Sequence, residues 1–249
     1  MKGVKAQTRR DLTLISGVGD KWLVIACDSC GAVGEKSGDI LELPAHYVGK
    51  FTVRVALTEV LCSGATPITV INGAANEMKP TAENFIFGIE EELKNAGISN
   101  IVLTGSTEEN FITNMTSLAV TVIGIASESD LKFGKAVRGD KLILLGSPSV
   151  GSEVYLESKG FYDEIRHLLT LAEVREIVPV GSKGINYEAE NLAAMNGMVF
   201  RHHNTKDTAE IDLYKSAGPV TCLIVLCSET AACQILEFHQ NVVILGEFK

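Results

Sequence analysis

Residues 22–34 read Trp-Leu-Val-Ile-Ala-Cys-Asp-Ser-Cys-Gly-Ala-Val-Gly. The apolar run 22–27 has the length and composition of a buried β-strand, entered through the turn Gly17-Val18-Gly19-Asp20. Asp28 then leaves the strand for a glycine-containing loop. A carboxylate so placed can hold a divalent cation near phosphate oxygens, or it can cap its own turn through the backbone.

Outward from this stretch the pattern alternates. The spacing predicts a helix over 50–62, with Phe51, Val55, Leu57, Leu61 and Cys62 among its core candidates, ending at Gly64. A strand over 68–74 follows, then a helix over 80–96 with Pro80 in its first turn and Gly97 at its end. A short strand, 101–103, runs into Thr104-Gly105-Ser106-Thr107, and 117–126 is a longer β-branched strand. The polar segment 127–140 separates this half from a second, which opens on a strand over 141–145. Helices over 152–157, 163–173 and 185–196 come next, then strands over 221–226 and 242–245 around a helix over 229–238. For 249 residues, at about 150 per domain, this is a mixed α/β chain of two domains. The strand-rich first covers 1–130 and the smaller second 131–249.

The composition excludes several classes. Twenty-two basic against 31 acidic residues give a net charge of −9, which argues against broad nucleic-acid binding. The most apolar stretch, 118–126, is far shorter than the ~20 residues of a membrane span, and the amino-terminal Met-Lys-Gly-Val-Lys lacks a following apolar segment. The expected location is cytoplasmic. There the six cysteines read as buried thiols; the single Cys27-x-x-Cys30 has no second pair to complete a zinc ribbon. The five histidines do not cluster in sequence, His202 and His203 facing opposite ways on a strand, and a histidine zinc site is set aside.

Four further features can carry chemistry. Glu59 lies on an otherwise apolar helix face, which is costly unless the carboxylate is paired, metal-bound or solvated. Glu108 and Glu109 follow the Gly105-Ser106-Thr107 loop and read as metal ligands or as a solvated turn. Gly181-Ser182-Lys183-Gly184 opens a helix, making either an anion site or an ordinary entry with an exposed lysine. His46 and Tyr47 fall in a loop. No P-loop, G-x-G-x-x-G or G-x-S-x-G spacing is present.

Taken in order, these segments resemble the aminoimidazole ribonucleotide synthetase superfamily, which includes thiamine-monophosphate kinase, selenophosphate synthetase and a hydrogenase-maturation enzyme. Asp28-Ser29-Cys30-Gly31-Ala32-Val33-Gly34 is similar to its Asp-Gly-Val-Gly metal loop. The stretch from Thr58-Glu59 through Gly64-Ala65-Thr66-Pro67 resembles its Asn-Asp…Gly-Ala-x-Pro helix end, Gly105-Ser106-Thr107 its Gly-(Asp/Glu)-Thr loop, and Gly139-Asp140-Lys141 the start of its second domain. The resemblance implies amino-terminal domains paired in a homodimer and ATP held through Mg²⁺. It places metal ligands at Asp28, Glu59, Asn72 and Glu108, and nucleotide contacts at Gly105, Ser106, Thr107, Asn114, Ser182 and Gly184. Lys183 stands where thiamine-monophosphate kinases carry a carboxylate, and Val180-Gly181-Ser182-Lys183-Gly184 resembles instead the α-ribazole kinase branch. The implied reaction is phosphorylation of the 5′-hydroxyl of α-ribazole, with Lys183 catalytic and His46 and Tyr47 touching the small-molecule substrate. The alternatives are a kinase for another metabolite, such as thiamine monophosphate, and a non-catalytic nucleotide-binding dimer. No membrane or nucleic-acid partner is implied.

Overall fold

A computed structural model describes residues 4–249. Met1–Gly3, the start of the amino-terminal stretch read above, lie outside the described residues. Two compact units emerge, one holding the chain up to Leu61 with Ala65–Asp130 and Leu156–Lys159, the other Cys62–Gly64, Leu131–Tyr155 and Gly160–Lys249.

In the first unit, β1 (Lys5–Arg9) and β2 (Leu12–Val18) form a hairpin, and β3 (Lys21–Gly31) follows. The two-residue strands β4 (Val33–Gly34) and β5 (Leu41–Glu42) pair locally ahead of the helix α1 (Ala45–Cys62). Then come β6 (Thr66–Ala74), α2 (Glu83–Asn95), β7 (Val102–Ser106) and β8 (Ser117–Ser127). Six strands make one sheet in the order β1-β2-β3-β8-β6-β7, antiparallel except for the parallel pair β6–β7.

Strand alternation assigns the two faces of this sheet. Leu12, Leu14, Val24, Ala26, Val70, Val120 and Val122 are buried on one of them. Helix α1 packs there, since a side chain on Gly124 would run into Val60. The helices α1 and α2 themselves meet at glycines: a Cβ on Gly88 would collide with the His46 carbonyl. The opposite face is the more open one, and Ile71 and Val102 remain 40% and 64% exposed on it.

The second unit contains β9 (Lys141–Gly146), α3 (Tyr162–Thr170), β10 (Val174–Pro179), α4 (Gly184–Met195), β11 (Phe200–His202), α5 (Lys206–Ala209), β12 (Cys222–Cys227), α6 (Glu229–Phe238) and β13 (Val242–Phe248). Its antiparallel sheet runs β10-β12-β9-β13-β11. Ile185, Ala189 and Leu192 of α4 join Leu142, Leu144, Ile224 and Leu226 in one core. Helix α6 contacts β9 and β13, and α3 contacts β10. Every residue of β12 is buried, which is why its sequence is apolar without alternation.

Several expectations need correcting. The helix over 152–157 is a single turn, Gly151–Glu153, and the helix over 163–173 ends at Thr170, releasing the unforeseen strand β10. Pro80 stands in a kinked turn, Met78–Ala82, ahead of α2. The β1–β2 hairpin was not foreseen, although Leu12 and Leu14 carry its period of two. His46 and Tyr47 belong to the first turn of α1, not to a loop. Cys62, Cys222 and Cys227 are buried thiols, but Cys27 and Cys233 are exposed.

A row of polar residues across the first sheet

Long-range register builds the candidate site. Asp28 of β3 is paired with Val120 of β8, Val120 with Asn72 of β6, and Asn72 with Gly105 of β7. Four strands thus set three of the expected site residues in one lateral row, with Asp28 and Asn72 about 10 Å apart at an inter-strand spacing of ~4.8 Å. Asp28 is not at the end of its strand, because β3 continues to Gly31.

The ends of the row differ chemically. Burial pushes the Asp28 carboxyl up to about 6; the Ser29 backbone N–H offsets part of this, and the nearby Asp11 adds to it. No cation among the described residues enters that balance. At the other end a Cβ on Gly105 would collide with both the backbone oxygen and Oδ1 of Asn72, so this position excludes every side chain. The Asn72 amide Nδ2 donates to Thr104 O at 3.4 Å. On the more open face of the sheet, beside the row, lies a depression of about 480 Å³, lined by Ile71, Gly73, Thr104, Ser106, Ala119 and Thr121 together with Asn72 and Gly105.

Glu59 occupies a different environment from Asp28. It is buried, and its Oε2 accepts from Arg10 Nη1 at 3.0 Å, the arginine side chain being buried as well. The charge on the apolar helix face is therefore met by a guanidinium from the β1–β2 turn, a partner that sequence reasoning missed. Arg54 and Thr58, the polar neighbours of Glu59 on α1, are themselves 1% and 0% exposed, so Glu59 is not on a solvated face. Arg54 is held by Glu92 in a two-point ion pair, Nε–Oε1 2.6 Å and Nη2–Oε2 3.1 Å, and donates to Ser158 Oγ and O.

The loop after β7 is ordered by its own acids. Glu108 Oε1 accepts from the N–H groups of Asn110 and Phe111, and Glu109 Oε1 from Thr107 Oγ1 and the Met78 N–H. The Asn114 carbonyl accepts from Gly38 N–H at 2.7 Å. Asp39 takes hydrogen bonds from Thr116 N, Thr116 Oγ1 and Lys36 N, which hold its carboxyl below the usual range despite partial burial. Tyr47 donates to Glu157 Oε1 at 2.6 Å, which raises its phenol, and its ring stacks on Phe51. Among the described residues no three His, Cys, Asp or Glu side chains converge on one metal position. Cys27 and Cys30 point to opposite faces of β3, so the C-x-x-C has no common ligand geometry.

In the second unit, Lys183 lies just before α4, with Nζ 3.1 Å from Tyr187 Oη and 4.2 Å from that ring's centre. Ser182 and Lys183 are exposed. The Gly184 N–H is engaged by Gly181 O and the Asn186 N–H by Leu213 O, which leaves fewer helix-start donors than the spacing suggested.

Residues 10–126 match the family model described as AIR synthase related protein, N-terminal domain. No curated protein matches the chain. Among solved structures, the T. maritima PurL complexed with AMPPCP superposes with a TM-score of 0.66 at 15% identity, over 91% of this chain and 40% of that one. AaThiL complexed with AMPPCP and TMP gives 0.68 at 13% identity, over 96% and 84%, and E. coli HypE 0.68 at 16%, over 91% and 79%. This chain therefore spans well under half of the PurL chain and most of the other two. At such identities the likeness concerns the fold, and the mixed α/β PurM-like fold expected from the motifs is the one observed.

Proposed function

We propose that the chain is an ATP- and Mg²⁺-dependent small-molecule kinase whose acceptor is the 5′-hydroxyl of α-ribazole. One observation carries this reading. The row Asp28–Val120–Asn72–Gly105 joins a desolvated carboxylate, offset by no cation among the described residues, to a glycine position that admits no side chain. Phosphoryl transfer asks a protein mainly for positioning and charge neutralisation. The structural neighbours described as complexed with AMPPCP support a nucleotide ligand.

A hard divalent cation suits Asp28, where burial makes the charge costly, the Ser29 N–H offsets only part of that cost, and an oxygen-seeking ion relieves the rest. Asn72 adds an amide oxygen to the same row. Glu59 and Glu108 would serve as ligands only by exchanging their present partners, Arg10 and the loop N–H groups. Magnesium supplies charge neutralisation on the phosphate oxygens when bound. Gly105, Ser106 and Thr107 lend backbone and hydroxyl donors to phosphate, and Asn114 shapes the neighbouring loop. Within the second unit, Lys183 supplies positive charge, and Ser182 and the Gly184 turn beside it supply polar groups, for an anion. His46 and Tyr47 present an aromatic surface for the acceptor. A second copy of the chain covers the more open face of the first sheet, where Ile71 and Val102 stand exposed.

The test supplies ATP and MgCl₂ with α-ribazole or thiamine monophosphate and follows ADP release and product mass. The expected product is α-ribazole 5′-phosphate, and Lys183→Ala should lower turnover more than tenfold. Consumption of thiamine monophosphate instead moves the acceptor to the alternative. Nucleotide binding without turnover on either compound supports the non-catalytic nucleotide-binding alternative, which the Arg10–Glu59 pair favours.

A further inference from the structure

His167 stands in the last turn of α3 and His239 directly after α6, 72 positions apart in the chain. Ile165 and Leu168 bury one face of α3, and Ile235 one face of α6. The two imidazoles meet, with His167 Nδ1 2.9 Å from His239 Nε2, ring centres 5.0 Å apart and planes at 46°. The Phe238 ring abuts His167 edge-on at 5.3 Å. Both imidazoles are half-buried.

Two ring nitrogens this close must share something. A neutral imidazole has one N–H and one lone pair, so either a proton lies between the rings or both lone pairs converge on a cation. Zinc–imidazole bonds are ~2.0–2.1 Å, so nitrogens 2.9 Å apart subtend about 90° at a metal, and a tetrahedral angle needs only ~0.4 Å of further separation. Glu164 precedes His167 by three residues on α3, which sets the two side chains on one helix face.

We propose that His167 and His239 form a two-imidazole site for a divalent transition cation of the zinc–copper class, with water completing the shell and Glu164 as the neighbouring carboxylate. Two nitrogen donors select zinc, nickel or copper over magnesium and calcium, which demand oxygen. Binding needs no net proton release: each ring keeps one N–H, on His167 Nε2 and His239 Nδ1, once the facing nitrogens are ligated. Burial and the neighbouring His167 lower the basicity of His239, which favours the neutral ring such a site requires, although the Glu164 charge acts in the opposite sense. With two protein ligands the site is open and exchangeable.

The full chain is titrated with CuCl₂ and with ZnCl₂ by calorimetry, and the copper form is read by electron paramagnetic resonance. One ion per chain with two-nitrogen coupling is expected. His167→Gln and His239→Gln should each weaken it at least tenfold, and the double variant His202→Gln/His203→Gln should leave it unchanged. Retention of affinity in His239→Gln, or its loss in the 202/203 variant, overturns the assignment. If the substituted chains do not fold, ¹⁵N imidazole spectra of the native chain decide: zinc must shift Nδ1 of His167 and Nε2 of His239, and unmoved signals refute the site.

Discussion

Replacing Asp28 by asparagine should abolish turnover and at the same time make the protein more stable. The carboxyl is moved from its ordinary 3.8 to about 6, chiefly by burial. At ~1.4 kcal/mol per tenfold, ionising it inside the fold costs about 3 kcal/mol, nearer ~2 once its residual contact with water is allowed for. The sign follows from proton counts. An acid with a raised folded pKa holds its proton more tightly when folded, so stability is highest below pH ~4, falls as pH rises toward ~6, and stays at its lower level above that. Asparagine keeps the shape and removes the charge. The variant should therefore melt about 4–8 °C higher than the native chain at pH ~7.5, given ~2–4 °C per kcal/mol at this size. Less than half of that gain should remain near pH 4.5, where the native carboxyl is largely protonated. Adding MgCl₂ should raise the native melting temperature and leave that of the variant unmoved. The assay is a thermal melt at the two pH values, with and without magnesium, beside a turnover measurement. Equal or lower stability of Asp28→Asn at pH ~7.5 would refute the claim that this carboxylate is held charged at the expense of the fold.

Two further outcomes test the surroundings. Gly105→Ala places a methyl group against Asn72 O and Oδ1, so nucleotide affinity should fall more than tenfold by calorimetry, with an overpacking cost of ~1–3 kcal/mol in urea unfolding; native affinity would remove Gly105 from the site. Glu92→Gln leaves Arg54 charged in a dry interior and should cost ~3–5 kcal/mol, while Arg54→Met with Glu92→Met together should recover most of that loss. A loss below ~1 kcal/mol in the single variant would mean that water reaches the guanidinium.

The readable parts of the chain were those governed by local pattern. Helix α6 has the expected bounds because Ser228 caps it, accepting from the Ala231 N–H, and an apolar face follows. Strand β8 alternates buried and half-buried residues from Leu118 to its end. Strand β10 escaped because Arg175 and Glu176 resemble the tail of a helix. In the fold Arg175 pairs with Asp140 at 3.3 Å, and Glu176 is buried. The candidate site divides along the same line. Asp28 and the Gly105 loop were legible as a carboxylate and a glycine following apolar runs, but their common row depends on register between strands some eighty positions apart.

What could not be read was which charges are met by partners. Asp28 and Glu59 look alike in sequence, each a carboxylate in an apolar run. The β1–β2 turn gives them different electrostatic surroundings. Arg10 pairs with Glu59, while Asp11 adds negative charge near Asp28. Because the two turn residues are adjacent, one hairpin stabilises one acid and strains the other. On the proposed reading, that division favours Asp28 over Glu59 as the carboxylate for a cation. Arg10→Gln tests this directly. It strips Glu59 of its guanidinium, so the resulting loss of stability should be reduced by MgCl₂ if Glu59 is within reach of the same cation, and left unchanged by MgCl₂ if Asp28 alone holds it.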